Sequence, residues 1–250
     1  MPGLNSQISR STVLFQVLVS LFGLILVVLF AVDPQVSQES FVWRKPLVGS
    51  AFAVICILGI LALLFPSSCS GLFAGGTKQK GLGAQVSHAA SSNLRGHHPQ
   101  CIHYSGHVFT VGGRRFCATC SGLFLGVLLA LVGDGASFFR NWHVGQYAAL
   151  AVAVGVVGVA LGLAQSSLPI LQMGVMRLFT GAFFVVGAFL VLLGIEELTR
   201  NVSLDLFVVA LSVLWLVTKI SLSQWDHERI CSRCTSESCD YKIGRLRKES

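Results

Sequence analysis

Residues 12 to 32 read TVLFQVLVSLFGLILVVLFAV, a run of twenty-one positions without one charged side chain. As a helix rising 1.5 Å per residue it covers roughly 30 Å, the thickness of the hydrocarbon core of a bilayer. The run exceeds the usual apolar stretch of a secretory signal, and Ala31 has no small partner at Leu29, so it predicts a retained helix. Working outward, five more runs of this kind follow: Leu47 to Phe65 between Pro46 and Pro66, about Phe116 to Gly133, Tyr147 to Ala164, about Arg177 to Ile195, and Val202 to Leu222. Continuous apolar runs, rather than ten-residue alternation, point to helices and not to a barrel. Asp205 and Lys219 near the ends of the last run are expected to snorkel to the interfaces, as is Arg177 at the start of the fifth.

The composition agrees. Of 250 residues 53% are hydrophobic and only 12% charged, and the mean hydropathy is +0.72, whereas soluble domains carry about a quarter charged residues. A disordered chain, a disulfide-stapled mini-protein and a water-soluble enzyme are excluded. The expected fold class is all-α: a polytopic integral membrane protein of six transmembrane helices. Six spans put both termini on one side, together with the second and fourth loops. Twelve Lys and Arg fall on that side, from Arg10 through Arg114 and Arg115 to Lys248, against Arg44, Lys45, Arg140 and Arg200 on the other. Basic residues accumulate in cytoplasmic loops, so both termini are expected in the cytoplasm of a cell-membrane protein. The same bias accounts for most of the net charge of +7. No aromatic-basic interleaving accompanies it, so the expected partners are the lipid bilayer and a protein subunit, not nucleic acid.

The chain divides into a two-helix membrane hairpin (1–66), a Ser/Gly/Ala-rich cytoplasmic linker (67–94), a Cys/His segment with a four-helix membrane domain (95–222) and a basic tail (223–250). Residues 97 to 120, HHPQCIHYSGHVFTVGGRRFCATC, crowd histidines and cysteines ahead of the third span. The tail has a second cluster, DHERICSRCTSESC, from Asp226 to Cys239. Six-span topology brings both to one face as a cytoplasmic cap. Cys117-Ala-Thr-Cys120 and Cys231-Ser-Arg-Cys234 have the spacing at which two thiolates converge on one ion, with metal–sulfur distances of about 2.3 Å. Together they make a tetrahedral set, for which zinc is the first expectation and an iron–sulfur cluster the alternative. Further ligands are available in His98, Cys101, His103, His107 and Cys239. Reduced cytoplasmic thiols favour metal or redox chemistry over structural disulfides. The bland reading leaves the tail cysteines as surface thiols and the histidines as polar loop residues. A thiol–disulfide carrier is a further alternative, because Cys117 and Cys120 open a helix, where unpaired backbone N–H groups and the dipole suit a reactive sulfur.

Residues 107 to 126, HVFTVGGRRFCATCSGLFLG, place a Gly-rich turn before a Cys-x-x-Cys-x-Gly that opens a helix. With LGLAQSS (161–167) and MRLFTGAFFVVG (176–187), they resemble a prokaryotic family of multi-pass membrane proteins known only as a domain of unknown function. The resemblance covers about Cys101 to Gly187 and carries over to Cys117, Cys120, Gly122, Arg177, Thr180 and Gly181. It implies a functional role for the cysteine motif but brings no activity with it. The chain departs from the family pattern at Thr119, where an Arg is frequent, and at His107-Val108, where Arg-Ser is common.

Gly122-x3-Gly126 and Gly158-x3-Gly162 read as small-residue faces for close helix packing. On the side away from the cysteines, Asp134, Glu196 and Glu197 offer an acidic patch, for which solvated helix ends are the ordinary explanation. There is no P-loop, His-Glu-x-x-His, dinucleotide fingerprint or Ser/His/Asp order. The sequence therefore favours a non-enzymatic membrane protein with a metal-stabilised cap, acting as sensor, scaffold or accessory subunit. A redox enzyme is the rival, and a transporter comes third, lacking an evident internal repeat.

Overall fold

The computed structural model describes residues 10–34, 36, 43–64, 108–111, 114–140, 142–168 and 173–232. Six long helices carry the fold: α1 Arg10–Val32, α2 Arg44–Leu64, α3 Ala118–Asp134, α4 Ala148–Ala164, α5 Gly174–Thr199 and α6 Val202–Ser232. All six are long and apolar enough to cross a membrane. A short antiparallel hairpin, β1 Val108–Val111 and β2 Arg114–Cys117, pairs Val108 with Cys117 and runs directly into α3. A π-helical turn, Gly135–Phe139, extends α3, and a 3-10 turn, Gly145–Tyr147, leads into α4.

Local chemistry sets several boundaries. Pro46 does not delay α2, which begins at Arg44, because proline's fixed φ and missing N–H are tolerated in a first turn. The connection from α5 to α6 is tight. Arg200 closes α5 in the left-handed region at φ 51°, and the Asn201 side-chain oxygen accepts from Ser203 N at 2.9 Å to cap α6. At its far end α6 continues past Leu222 to Ser232, carrying helix through the polar start of the tail.

Helix α5 is the centre of the bundle: 72% of its most apolar window is buried, against 22% for α2. Two helices flank it, and both approaches run over glycines. α3 lies parallel to α5, with Gly122 against Leu178, Gly126 against Ala182 and Gly133 against Phe189. α4 lies antiparallel, with Gly155 and Gly158 against Gly187, and Gly162 against Phe184. Both small-residue faces thus pack as expected. A Cβ on Gly126 would stand 2.6 Å from the Ala182 carbonyl oxygen, so the two backbones can be this close only without it.

The N-terminal helices join the bundle separately. α1 packs chiefly on α6 and α4, whereas α2 packs on α3 with its π turn and on α6. α1 runs antiparallel to α6: Ser20 Oγ meets Thr218 Oγ1 at 2.8 Å, and Trp215 Nε1 donates to the Ser20 carbonyl at 3.2 Å. The start of α1 and the end of α6 therefore share one end of the bundle. Val27, Val191 and Trp215 are fully buried in the core, while Phe15, Leu18 and Val132 point outward and are mostly exposed. An apolar surface around an apolar core is what lipid, rather than water, would solvate.

Candidate functional site

The end of the bundle where α3, α5 and α6 meet holds the cysteine motif. Cys117 is both the last residue of β2 and the N-cap position of α3, with extended backbone at φ −71° and ψ 119°. The hairpin thus delivers Cys117 to the helix mouth, and one turn of helix carries Cys120 back toward it. Their thiols lie within hydrogen-bonding reach of each other. Neither is in a disulfide, and both are half-buried.

This mouth is braced by α5. Gly122 packs on the Leu178 backbone, while a Cβ on Gly181 would come 3.3 Å from the Thr119 carbonyl oxygen. Thr180 Oγ1 donates to the Met176 carbonyl at 2.8 Å, which keeps its hydroxyl on its own helix. Cys-x-x-Cys-x-Gly and Arg-x-x-Thr-Gly, far apart in sequence, are thus two sides of one parallel helix contact.

Beside the cysteines lies a polar cavity of about 20 Å³, room for about one water molecule. Thr119, Gln165, Ser166, Arg177, Lys219 and Asp226 line it. Arg177 does not reach outward. It is 6% exposed, and its Nη2 donates to Asp226 Oδ2 at 3.3 Å. Lys219, expected to snorkel, is 5% exposed and donates to the Gly162 carbonyl and to Gln165 Oε1. Gly162 is in the last turn of α4, where carbonyls lack helical partners and the dipole is negative, so the ammonium caps a neighbouring helix. The other half of the Gln165 amide, Nε2, is buried with no hydrogen-bond partner among the described residues.

Of the residues expected to bind metal, Cys117 and Cys120 are brought together. Cys231 falls in the last turn of α6, and its side chain lies outside what is described. His98, Cys101, His103, His107, Cys234 and Cys239 lie outside the described residues. Among the described residues no group of three or more His, Cys, Asp or Glu is arranged to hold a metal.

The opposite end holds a second polar cluster, whose acidic residues the sequence offered but whose burial and basic partners it did not reveal. Glu196 is no solvated helix end: it is 1% exposed and takes Arg44 Nη2 at 2.5 Å. Asp205, fully buried rather than snorkelling, lies 3.6 Å from Arg44 Nη1. Lys45 approaches Glu196 and Glu197 at 3.6 Å, and His143 Nδ1 meets Glu197 at 2.7 Å. The available signal was the pairing of Arg44-Lys45 with Glu196-Glu197, two adjacent doublets of opposite charge at helix ends on the same expected side. Nearby on α3 and its π turn, Asp134 and Ser137 are also buried.

No family model, curated protein or solved structure matches this chain.

Proposed function

We propose that the chain is a multi-pass protein of the cell membrane, with both termini cytoplasmic, whose two Cys-x-x-Cys pairs hold one metal ion. That ion would clamp the tail to the mouth of α3, in a sensor, scaffold or accessory subunit rather than an enzyme. The observation that carries the reading is the cavity shared by Thr119, which sits between the first two cysteines, and Asp226 on α6. Cys231 follows Asp226 on the same helix, about 7.5 Å further along. The first pair also suits the chemistry, since its two sulfurs already face one another. Four thiolates in a reducing compartment match zinc in a closed structural site.

The decisive measurement is metal content with a visible spectrum of the detergent-purified chain. One zinc per chain and no colour is expected. Cys117→Ser and Cys231→Ser should each lose most of it, and the double variant should lose little more, because ligands of one site are not additive. Chelation should open the segment after Trp225 to protease while the helices stay folded. Full metal in Cys231→Ser would sink the shared site. A brown chromophore would replace zinc by an iron–sulfur cluster. Absence of metal with a titratable disulfide at Cys117 and Cys120 would give the site to thiol exchange instead.

A further inference from the structure

At the end of the bundle away from the cysteines, one nitrogen faces two partners that demand opposite things of it. His143 lies in the connection from the π turn to α4. Its Nδ1 stands 3.2 Å from Lys45 Nζ at the start of α2 and 2.7 Å from Glu197 Oε1 near the end of α5. An ammonium only donates and a carboxylate only accepts. Nδ1 must therefore be unprotonated to accept from Lys45, or protonated to donate to Glu197, and it cannot be both. Among the described residues these are the polar contacts of the ring. The ring is open to water, its side chain 55% exposed, whereas that of Lys45 is 20% and that of Glu197 10% exposed. Lys45 also lies 3.6 Å from Glu197 Oε1 and from Glu196 Oε2. Glu196 in turn takes Arg44, which reaches Asp205 on α6. Arg140 and Tyr147, the other ionisable groups of the connection, are exposed.

We propose that His143 is a proton-operated tether, holding the connection between α3 and α4 to Lys45 of α2 when Nδ1 is unprotonated and to Glu197 of α5 when the ring is charged. Histidine is the side chain whose charge ordinarily changes between about pH 5 and 8. In the neutral ring the bond from Lys45 selects the tautomer with its proton on Nε2. Protonation turns the contact with Glu197 into a charge-assisted hydrogen bond and sets two cations, the imidazolium and Lys45, against each other. Lys45 is then left with Glu196 and Glu197. Because Glu196 already holds Arg44, one lysine links an exposed ring to the buried group that joins α2, α5 and α6. In the topology proposed above this end faces outward, so the proton is an external one. The tether itself rests on the contacts alone and not on metal binding.

The test uses the full chain in detergent, with double-mutant cycles on thermal unfolding at about pH 8 and about pH 5. His143→Ala and Lys45→Met should couple favourably at the higher pH, and that coupling should vanish or change sign at the lower. His143→Ala and Glu197→Gln should couple more strongly at the lower pH. The cycle subtracts what each substitution costs by itself, so general destabilisation does not imitate the exchange. Nitrogen NMR of the histidine-labelled chain locates the proton, the His143 signals being those lost in His143→Ala. At high pH the neutral ring should carry its proton on Nε2, and Lys45→Met should move it to Nδ1. Proton affinity of the ring should fall about two- to fivefold in Glu197→Gln and rise by a similar factor in Lys45→Met, the range for exposed pairs. A neutral parent ring protonated on Nδ1 would overturn the proposal, and so would couplings that are the same at both pH values.

Discussion

Arg44 holds two buried carboxylates at the end of the bundle away from the cysteines, Glu196 at 2.5 Å and Asp205 at 3.6 Å. Such a group gains little over an apolar one of the same shape, because desolvation cancels much of the attraction. Breaking it is another matter. Arg44→Ala would take the guanidinium from both, with Lys45 still 3.6 Å from Glu196, and is expected to cost up to about 3 to 5 kcal/mol. His143, whose side chain is 55% exposed, makes a comparable short contact to Glu197 in solvent, and His143→Ala should cost no more than about 1 kcal/mol. Thermal unfolding of the two variants in detergent, followed by helicity, checks the ranking. Equal losses would mean that the buried network is wetter than its exposure implies.

Among the helices, the parallel contact of α3 with α5 is the least forgiving. A Cβ on Gly126 would meet the Ala182 carbonyl oxygen at 2.6 Å and its Cα at 2.9 Å, and backbone cannot rotate away as a side chain can. Gly126→Ala should therefore destabilise by about 1 to 3 kcal/mol, the range for overpacking. Gly59 in α2 is the control, since a Cβ there meets nothing within 4 Å. Gly59→Ala should be neutral, or gain about 0.5 kcal/mol from the lost freedom of the unfolded chain. Unfolding midpoints for the pair should move in opposite directions, or at least only Gly126→Ala should fall. Because Gly122 on the same face sits two residues after Cys120, the Gly126 variant should also speed alkylation of the cysteine pair. Unchanged alkylation would uncouple the mouth from the helix contact.

At the scale of the whole molecule, six helices bring the start of α1 and the end of α6 to one end, with the cysteine motif, while Arg44, Glu196 and Asp205 mark the other. In a membrane, a reporter fused after Ser250 is expected to be active in the cytoplasm and one inserted between Asp134 and Trp142 outside. The reverse pattern would carry Cys117 and Cys120 to the oxidising face, where a disulfide rather than a metal would be the natural product of their proximity.

The six apolar helices were legible in the sequence by itself, as was their even number, because length and hydropathy are sums along the chain and need no partner. The same holds for the glycine faces: Gly122 and Gly126, or Gly158 and Gly162, fall on one side of a helix by periodicity alone. What the sequence could not rank was the fate of its few charges. Arg177, Lys219, Asp205 and Glu196 all sit near the ends of their apolar runs, where snorkelling outward is as good a local answer as turning inward. The choice depends on what the neighbouring helices offer: Asp226 for Arg177, the end of α4 and Gln165 for Lys219, Arg44 for Glu196 and Asp205. Those partners lie between 49 and 161 residues away, the latter being the separation of Arg44 from Asp205. Sequence fixes which side chains must find partners in an apolar medium, and only the packing of α2, α4, α5 and α6 against one another decides which partners they reach.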